Sequence, residues 1–342
     1  MTAHLDATQP ALLLRLLLGD ERADPGELEW NAVPALAERH RIPLRLAACL
    51  EGRGAVVPPR FAEAAARARA RAERVLALVA RVVEGCDRRG ITCVVLKLAR
   101  DFPDVGGDID LLVPDAGSAM DRLLRELPPI VRGRRTLRSH LAATTVYHAP
   151  EQDTAVDVHH RRLGHLGEHS RLAALLLGRR RRAEFGAVSC FVPSLEDQLV
   201  QQALAYGIGL PALRIGDALW TISAVRDGGL DWETVLRTAQ ATGLLPALSC
   251  HLSGVEQLHQ RLIGLPLLNP EIRPRLIQRS WGRIEFRRGS YRLAGGRVRA
   301  GLFLRQLRAK IESRDWSAAG RLCLLPLVAA SAGWQRVARA FG

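Results

Sequence analysis

The sequence predicts an α+β protein: a small mixed β-sheet core flanked by N-terminal helices and by a larger C-terminal helical region. Three observations carry this. Apolar residues recur at helical spacing up to residue 90. Four short β-branched or alternating segments follow between residues 91 and 160, with one helix among them. From Ser170 onward the pattern is mainly helical again. The corresponding regions are residues 1–90, 91–165 and 166–342.

Pro10–Leu18 is a leucine-rich helix that stops near Gly19, and Pro25–Arg39 places Leu28, Val33 and Leu36 at helical spacing. Leu44–Glu51 follows Pro43 as a third short helix. Arg60–Arg89 is a long Ala- and Arg-rich helix with an apolar stripe through Leu76, Val79, Val82 and Val83, and Gly90 lies where a helix stop belongs. Ile91–Leu96 and Asp108–Val113 read as strands. Pro114 opens a helix with Asp115 near its start, which the Pro128-Pro129 pair ends. Ala142–His148 and Thr154–His159 are two more strands, joined by a turn-length connection at 149–153. Helices are expected over 170–178, 194–208, 211–226, 231–241, 245–263, 270–282 and 300–313, with a short strand at Val188–Val192. Ser194 with Asp197 caps one of these helices, and Asp231 starts another.

The 342 residues, 48% hydrophobic and 25% charged, can bury a core and exclude wholesale disorder. The formal net charge of +14 raises the weight of nucleic-acid, nucleotide or anionic-surface partners. An Arg-rich composition inflating the charge without a binding site is the competing explanation. Lys97 and Lys310 are the only lysines, so composition does not explain a lysine in the core stretch. Six scattered cysteines without a CxxC form neither a zinc pattern nor a disulfide framework. The N-terminus lacks the basic start of a signal peptide, and no run reaches the ~18 apolar residues of a membrane span. A cytoplasmic location is therefore expected.

Chemistry concentrates in Ile91–Val113, which runs from a β-branched segment through Lys97 and a Pro- and Gly-containing loop into Asp-Ile-Asp. Asp108 and Asp110, two apart on a strand, share a face about 7 Å from one another. Like charges on a buried strand demand a neutraliser, and carboxylate oxygens suit Mg²⁺ bridging to substrate phosphates. Asp157, set in another apolar β pattern, is the candidate third carboxylate, with the role of second metal ligand and acceptor of a hydroxyl proton. Lys97 is placed to contact β- and γ-phosphates. The bland readings are strand-edge charges at 108 and 110, an Asp157 paired with Arg161 or Arg162, and a Lys97 reaching to solvent. His159 shares the face of Asp157 and would support metal or phosphate binding.

In order along the chain stand Val94-Val-Leu-Lys97, Gly107-Asp-Ile-Asp-Leu-Leu-Val113, Val156-Asp-Val-His159, Val192-Pro-Ser-Leu-Glu-Asp197, Leu213-Arg-Ile-Gly-Asp217 and Asp231-Trp232. With these motifs, residues 10–245 resemble the bacterial uncharacterised nucleotidyltransferases within the DNA polymerase β-type nucleotidyltransferase superfamily. The resemblance implies a nucleotidyltransferase core, an NTP substrate, ATP among the candidates, Mg²⁺ held by Asp108, Asp110 and Asp157, and NMP transfer to a hydroxyl. It also implies that Arg214 and Asp217 hold nucleotide or acceptor; at i, i+3 they equally form a structural ion pair. The family's glycine after the lysine is Leu98 here, which leaves Gly106 and Gly107 as the small residues for a phosphate cradle.

The acceptor class stays open: a small molecule, a peptide or protein, or a tRNA end. Arg179–Arg182, and Arg273–Arg308 with Trp281, Phe286 and Tyr291, are basic features suited to RNA or to a solvated face. Leu322–Trp334 is apolar, fit to pack or to lie on a membrane but too short to span one. With Leu98, the basic C-terminal third supports an alternative: a catalytically inactive nucleotidyltransferase fold that binds RNA or protein.

Overall fold

The computed structural model describes residues 8–114, 118–127, 130–205, 212–277, 281–287, 289–292 and 296–326. Asp115, the Pro128-Pro129 pair and most of the apolar run at 322–334 lie outside them.

Four helices come first: α1 (Thr8–Leu17), α2 (Val33–His40), α3 (Pro43–Gly52) and the long α4 (Pro59–Arg88). Along α4, Phe61, Ala64, Ala65, Ala68, Ala72, Val75 and Val79 are buried at three- and four-residue spacing, the stripe of a helix laid on a core. Gly90, at φ +63°, ends it. The core then runs β1 (Val94–Val95), α5 (Leu98–Asp101), β2 (Asp108–Val113), α6 (Ser118–Glu126), β3 (Val131–Arg132), α7 (Leu137–Leu141), β4 (Thr144–Ala149) and β5 (Thr154–His160). The sheet order is β1-β2-β5-β4-β3, with β2 and β5 parallel and the other pairs antiparallel.

The C-terminal part contains α8 (Ser170–Gly178), the hairpin β6 (Arg181–Phe185) and β7 (Val188–Val192), then α9 (Leu195–Leu204), β8 (Ala212–Leu213) and α10 (Ile215–Arg226). It continues through α11 (Trp232–Ala241), α12 (Leu245–Ile263), α13 (Arg273–Leu276), β9 (Glu285–Arg287), β10 (Ser290–Arg292) and α14 (Gly296–Glu312). Ser194 and Asp231 accept backbone N–H bonds at the starts of α9 and α11, as their sequence positions require.

Several elements differ from the sequence expectation. Pro25–Arg39 is a 3-10 turn at Pro25–Glu27 followed by α2 from Val33 rather than one helix, and β3 and β6 form where no strand was expected. The first strand keeps two paired residues, Val94 and Val95, although Leu96 N still donates to Asp110 O at 2.8 Å. Among the described residues of 270–282, only Arg273–Leu276 is helical, with Pro274 in its first turn. Beyond it the alternating Glu285-Phe-Arg and Ser290-Tyr-Arg pair as a hairpin, and β10 takes β8 on its other edge. Arg214 is accordingly extended, and α10 begins only at Ile215.

Alternation along β2 and β5 divides the core. Ile109, Leu111, Val113, Val156 and Val158 face α4 and α6, packing on Val75, Val79, Val82, Met120 and Leu124. On the opposite face Leu112, with Val94 and Leu96, packs on Leu172, Leu199, Val200 and Leu248 of the C-terminal helices. A third cluster joins α1–α3 to Leu213, Ile215, Ile222 and Leu258, so the first and last thirds of the chain share a core. No helix among the described residues is long and apolar enough to cross a membrane.

Candidate active site

The parallel register between β2 and β5 sets Asp110 beside Asp157, and Asp108 beside Ala155. In-register residues on parallel neighbours point the same way, so Asp108, Asp110 and Asp157 share one face of the sheet. Asp110 is buried (7% exposed), whereas Asp108 and Asp157 are half-buried at the solvent end of that face.

Lys97, just past β1, is held beside Asp110 by the Leu96–Asp110 backbone bond. Its ammonium donates to Asp110 Oδ2 and lies 4.0 Å from Asp108 Oδ2. His159 Nε2 is 3.1 Å from Asp110 Oδ1, and Thr144 Oγ1 is 3.3 Å from His159 Nδ1. A carboxylate only accepts, so Nε2 donates to Asp110. Burial alone would push the Asp110 carboxyl up, but the Lys97 ammonium and the His159 bond outweigh it and hold it well below the usual carboxylate range. Asp157 moves the other way, raised by burial and then by the negative charge of Asp110. Among the described residues its carboxylate makes no ion pair or hydrogen bond.

Arg41, C-terminal to α2 and left-handed at φ +53°, extends its guanidinium into the site. It donates to Asp101 Oδ2 at 2.8 Å and to Asp108 Oδ1 at 3.2 Å. Burial would lower its pKa, but the charges of Asp101, Asp108 and Asp217 raise it. A Cβ on Gly106 would sit 2.7 Å from this guanidinium, so the glycine makes room for the arginine; Gly107 faces ordinary contact with Asp153 O at 3.7 Å. Arg100 bridges Asp101 (3.2 Å) and Asp217 (3.4 Å), and Arg214 Nε stands 3.9 Å from Asp217 Oδ2. Asp101 is pushed up by burial yet held low by Arg100, Arg41 and Lys97. Leu98, in the place of the glycine that the resemblance leads one to expect, is buried in the core at 5% exposure.

Arg41, Arg100 and Asp101 were not singled out in the sequence. In so Arg-rich a chain nothing marks them; only the fold brings residue 41 to residue 108. Some arginines of the basic stretches are committed to partners within the fold. Arg179 pairs with Asp197, while Arg180 and Arg182 lie 4.9 Å over the Phe191 ring. Arg273, Arg275 and Arg308 pair with Glu256, Glu233 and Glu312. Trp281 and Tyr291 are buried and therefore form no stacking platform for bases.

Among the described residues no three His, Cys, Asp or Glu groups already stand together as a metal cage. The donor set nevertheless fits a hard divalent cation: three carboxylates on one face, one of them, Asp157, without a counter-charge. Lys97 now supplies the charge that a bound cation would supply. Next to Lys97 and Asp110 opens a cleft of about 220 Å³, walled by Leu96, Leu163, Leu204 and Gln201. A family model described as an uncharacterised nucleotidyltransferase matches residues 26–205, which span α2 to α9 and all three carboxylates. No curated protein matches the chain.

Proposed function

The chain belongs to the uncharacterised nucleotidyltransferase family, and from that premise we propose that it transfers an NMP from an NTP to a hydroxyl of an acceptor, with Mg²⁺ and with release of pyrophosphate. The family supports nucleotidyl transfer in general terms; the metal, the nucleotide and the residue roles are our reading. One observation carries it: Asp110 and Asp157 are register partners on parallel strands, with Asp108 on the same face.

Asp108, Asp110 and Asp157 would hold the metal, which when bound neutralises the phosphate oxygens and the departing pyrophosphate. Lys97, freed from Asp110, moves its charge onto the β- and γ-phosphates. Gly107 leaves the backbone open beside the phosphates, and Arg41, seated over Gly106, adds a bidentate donor. Asp157 takes the acceptor hydroxyl proton; a carboxyl raised by burial and by Asp110 is a better base than an ordinary aspartate. Arg214 and Asp217 support nucleotide binding through the Arg100–Asp101 pair.

The test is incubation of the purified chain with α-labelled NTPs, Mg²⁺ and cell extract. We expect label on a discrete acceptor and none with Asp108→Ala/Asp110→Ala. Transfer retained in that double variant would sink the reading. The buried Leu98 favours the inactive binding module instead; absence of any Mg²⁺-dependent thermal shift with all four NTPs, together with tight RNA binding, would select it.

A further inference from the structure

Two adjacent glutamines on α9 have different fates. Gln202 is completely buried and fully engaged: its Nε2 donates to Asp217 O at 2.9 Å and its Oε1 accepts from Thr221 Oγ1 at 2.8 Å. Gln201 is 8% exposed, and among the described residues its amide makes no hydrogen bond. That amide is not among the polar atoms sealed from solvent without a partner, so it is open to the cleft rather than enclosed in the core. Gln201 lines the cleft beside Lys97 and Asp110.

The cleft has the makings of a nucleobase site. Leu96, Leu163, Leu204 and Ala205 give apolar walls for a planar ring, and its about 220 Å³ equals roughly seven waters of liquid volume. It is bounded by Asp110 and His159 but not by Asp157 or Asp108. An acceptor hydroxyl must reach Asp157, so this cleft is on the wrong side of the site for the acceptor and on the right side for the nucleoside.

We propose that the cleft between β1 and α9 binds the base of the nucleotide, and that Gln201 selects adenine by pairing bidentately with its N6 amino group and N7. An amide offers one donor and one acceptor side by side, which matches that edge; the corresponding edge of guanine presents two acceptors. The assignment rests on the nucleotidyl-transfer reading above.

The experiment is calorimetric titration of the full chain with α,β-methylene analogues of ATP, GTP, CTP and UTP in Mg²⁺. The ATP analogue is expected to bind about tenfold or more tighter than the others, the range of a good bidentate contact. Gln201→Leu removes both hydrogen bonds and is expected to bring the ATP analogue to the level of the other three, leaving theirs within about threefold. Should that variant fold poorly, the 7-deaza ATP analogue tests the same contact on the unaltered protein and is expected to lose a similar factor. Equal binding of all four analogues, or an adenine preference that survives both Gln201→Leu and 7-deaza substitution, overturns the base assignment and leaves nucleotidyl transfer standing. Failure of every analogue to bind overturns both.

Discussion

At the scale of single residues, the site is held together by borrowed charge. Asp110 is buried against Lys97 and His159, and the half-exposed Asp108 is paired with Arg41. Removing one partner of a buried pair leaves the other uncompensated, typically by about 3–5 kcal/mol, less where one member is half-exposed as Lys97 is. Lys97→Met is thus expected to lower the unfolding free energy of the ligand-free protein by about 2 kcal/mol in urea melts, with Mg²⁺ restoring part of the loss. An unchanged midpoint would show that Asp110 does not depend on the ammonium. Gly106 and Arg41 offer a sharper check. Gly106→Ala drives a methyl against the guanidinium and is expected to cost about 1–3 kcal/mol. In an Arg41→Ala background most of that cost disappears, giving a coupling energy of about 1 kcal/mol or more. Additive losses would place the strain elsewhere. The aspartates and Lys97 stood out in the sequence because charges interrupt apolar β patterns there. Arg41 and Gln201 did not, because an arginine among many and a glutamine on a helix carry no local signature.

At the scale of elements, the junction at residues 40–41 joins three segments distant in sequence. His40 is completely buried; its Nδ1 accepts from Ile215 N at 3.0 Å, and its Nε2 donates to Gly289 O at 3.1 Å. Gly216, in the first turn of α10, approaches so closely that a Cβ there would lie 2.8 Å from Arg41 O and 3.0 Å from His40 O. Both obstacles are backbone and cannot swing away. Gly216→Ala is expected to destabilise the fold by about 2 kcal/mol or more and to weaken nucleotide binding by displacing Arg41. A variant as stable as the parent would mean that α10 can withdraw freely. Helix positions were legible from periodicity and caps. At this junction the short β8, which takes the start of the helix expected over 211–226, pairs across about 80 residues of chain with β10, a strand that local pattern did not mark.

At the scale of the molecule, the α+β architecture was legible because the period changes from helical to alternating and back. The packing between the outer helical regions was not, because no local pattern encodes which helix meets which. The buried histidines set the response of the whole fold to acid. Burial pushes His40 down to about 4 and His251 to about 3, and His169 also well below its ordinary value. A histidine lowered on folding is neutral in the native chain, while the unfolded chain binds protons from about pH 6.5 downward. The stability it contributes is therefore complete above about pH 6.5 and lost as pH falls toward 4, about 3 kcal/mol for His40 alone. Urea midpoints are expected to hold from pH 8 to 7 and to drop steeply between pH 6 and 4.5. A flat profile would show that these rings stay accessible to protons.

The shared core of the first and last thirds has a consequence for biosynthesis. Leu12, Leu13, Leu16, Leu46 and Leu50 emerge from the ribosome early, yet Leu213, Ile222, Val255 and Leu258, which complete their burial, are made some 160 residues or more later. For most of translation the N-terminal leucines have no permanent cover, while the sheet bearing the aspartates can already close on α4. The nascent chain thus exposes an apolar surface over a timed interval, and this is when chaperones would be needed. A fragment ending at residue 205 would hold all three carboxylates and still be trapped in that unfinished condition.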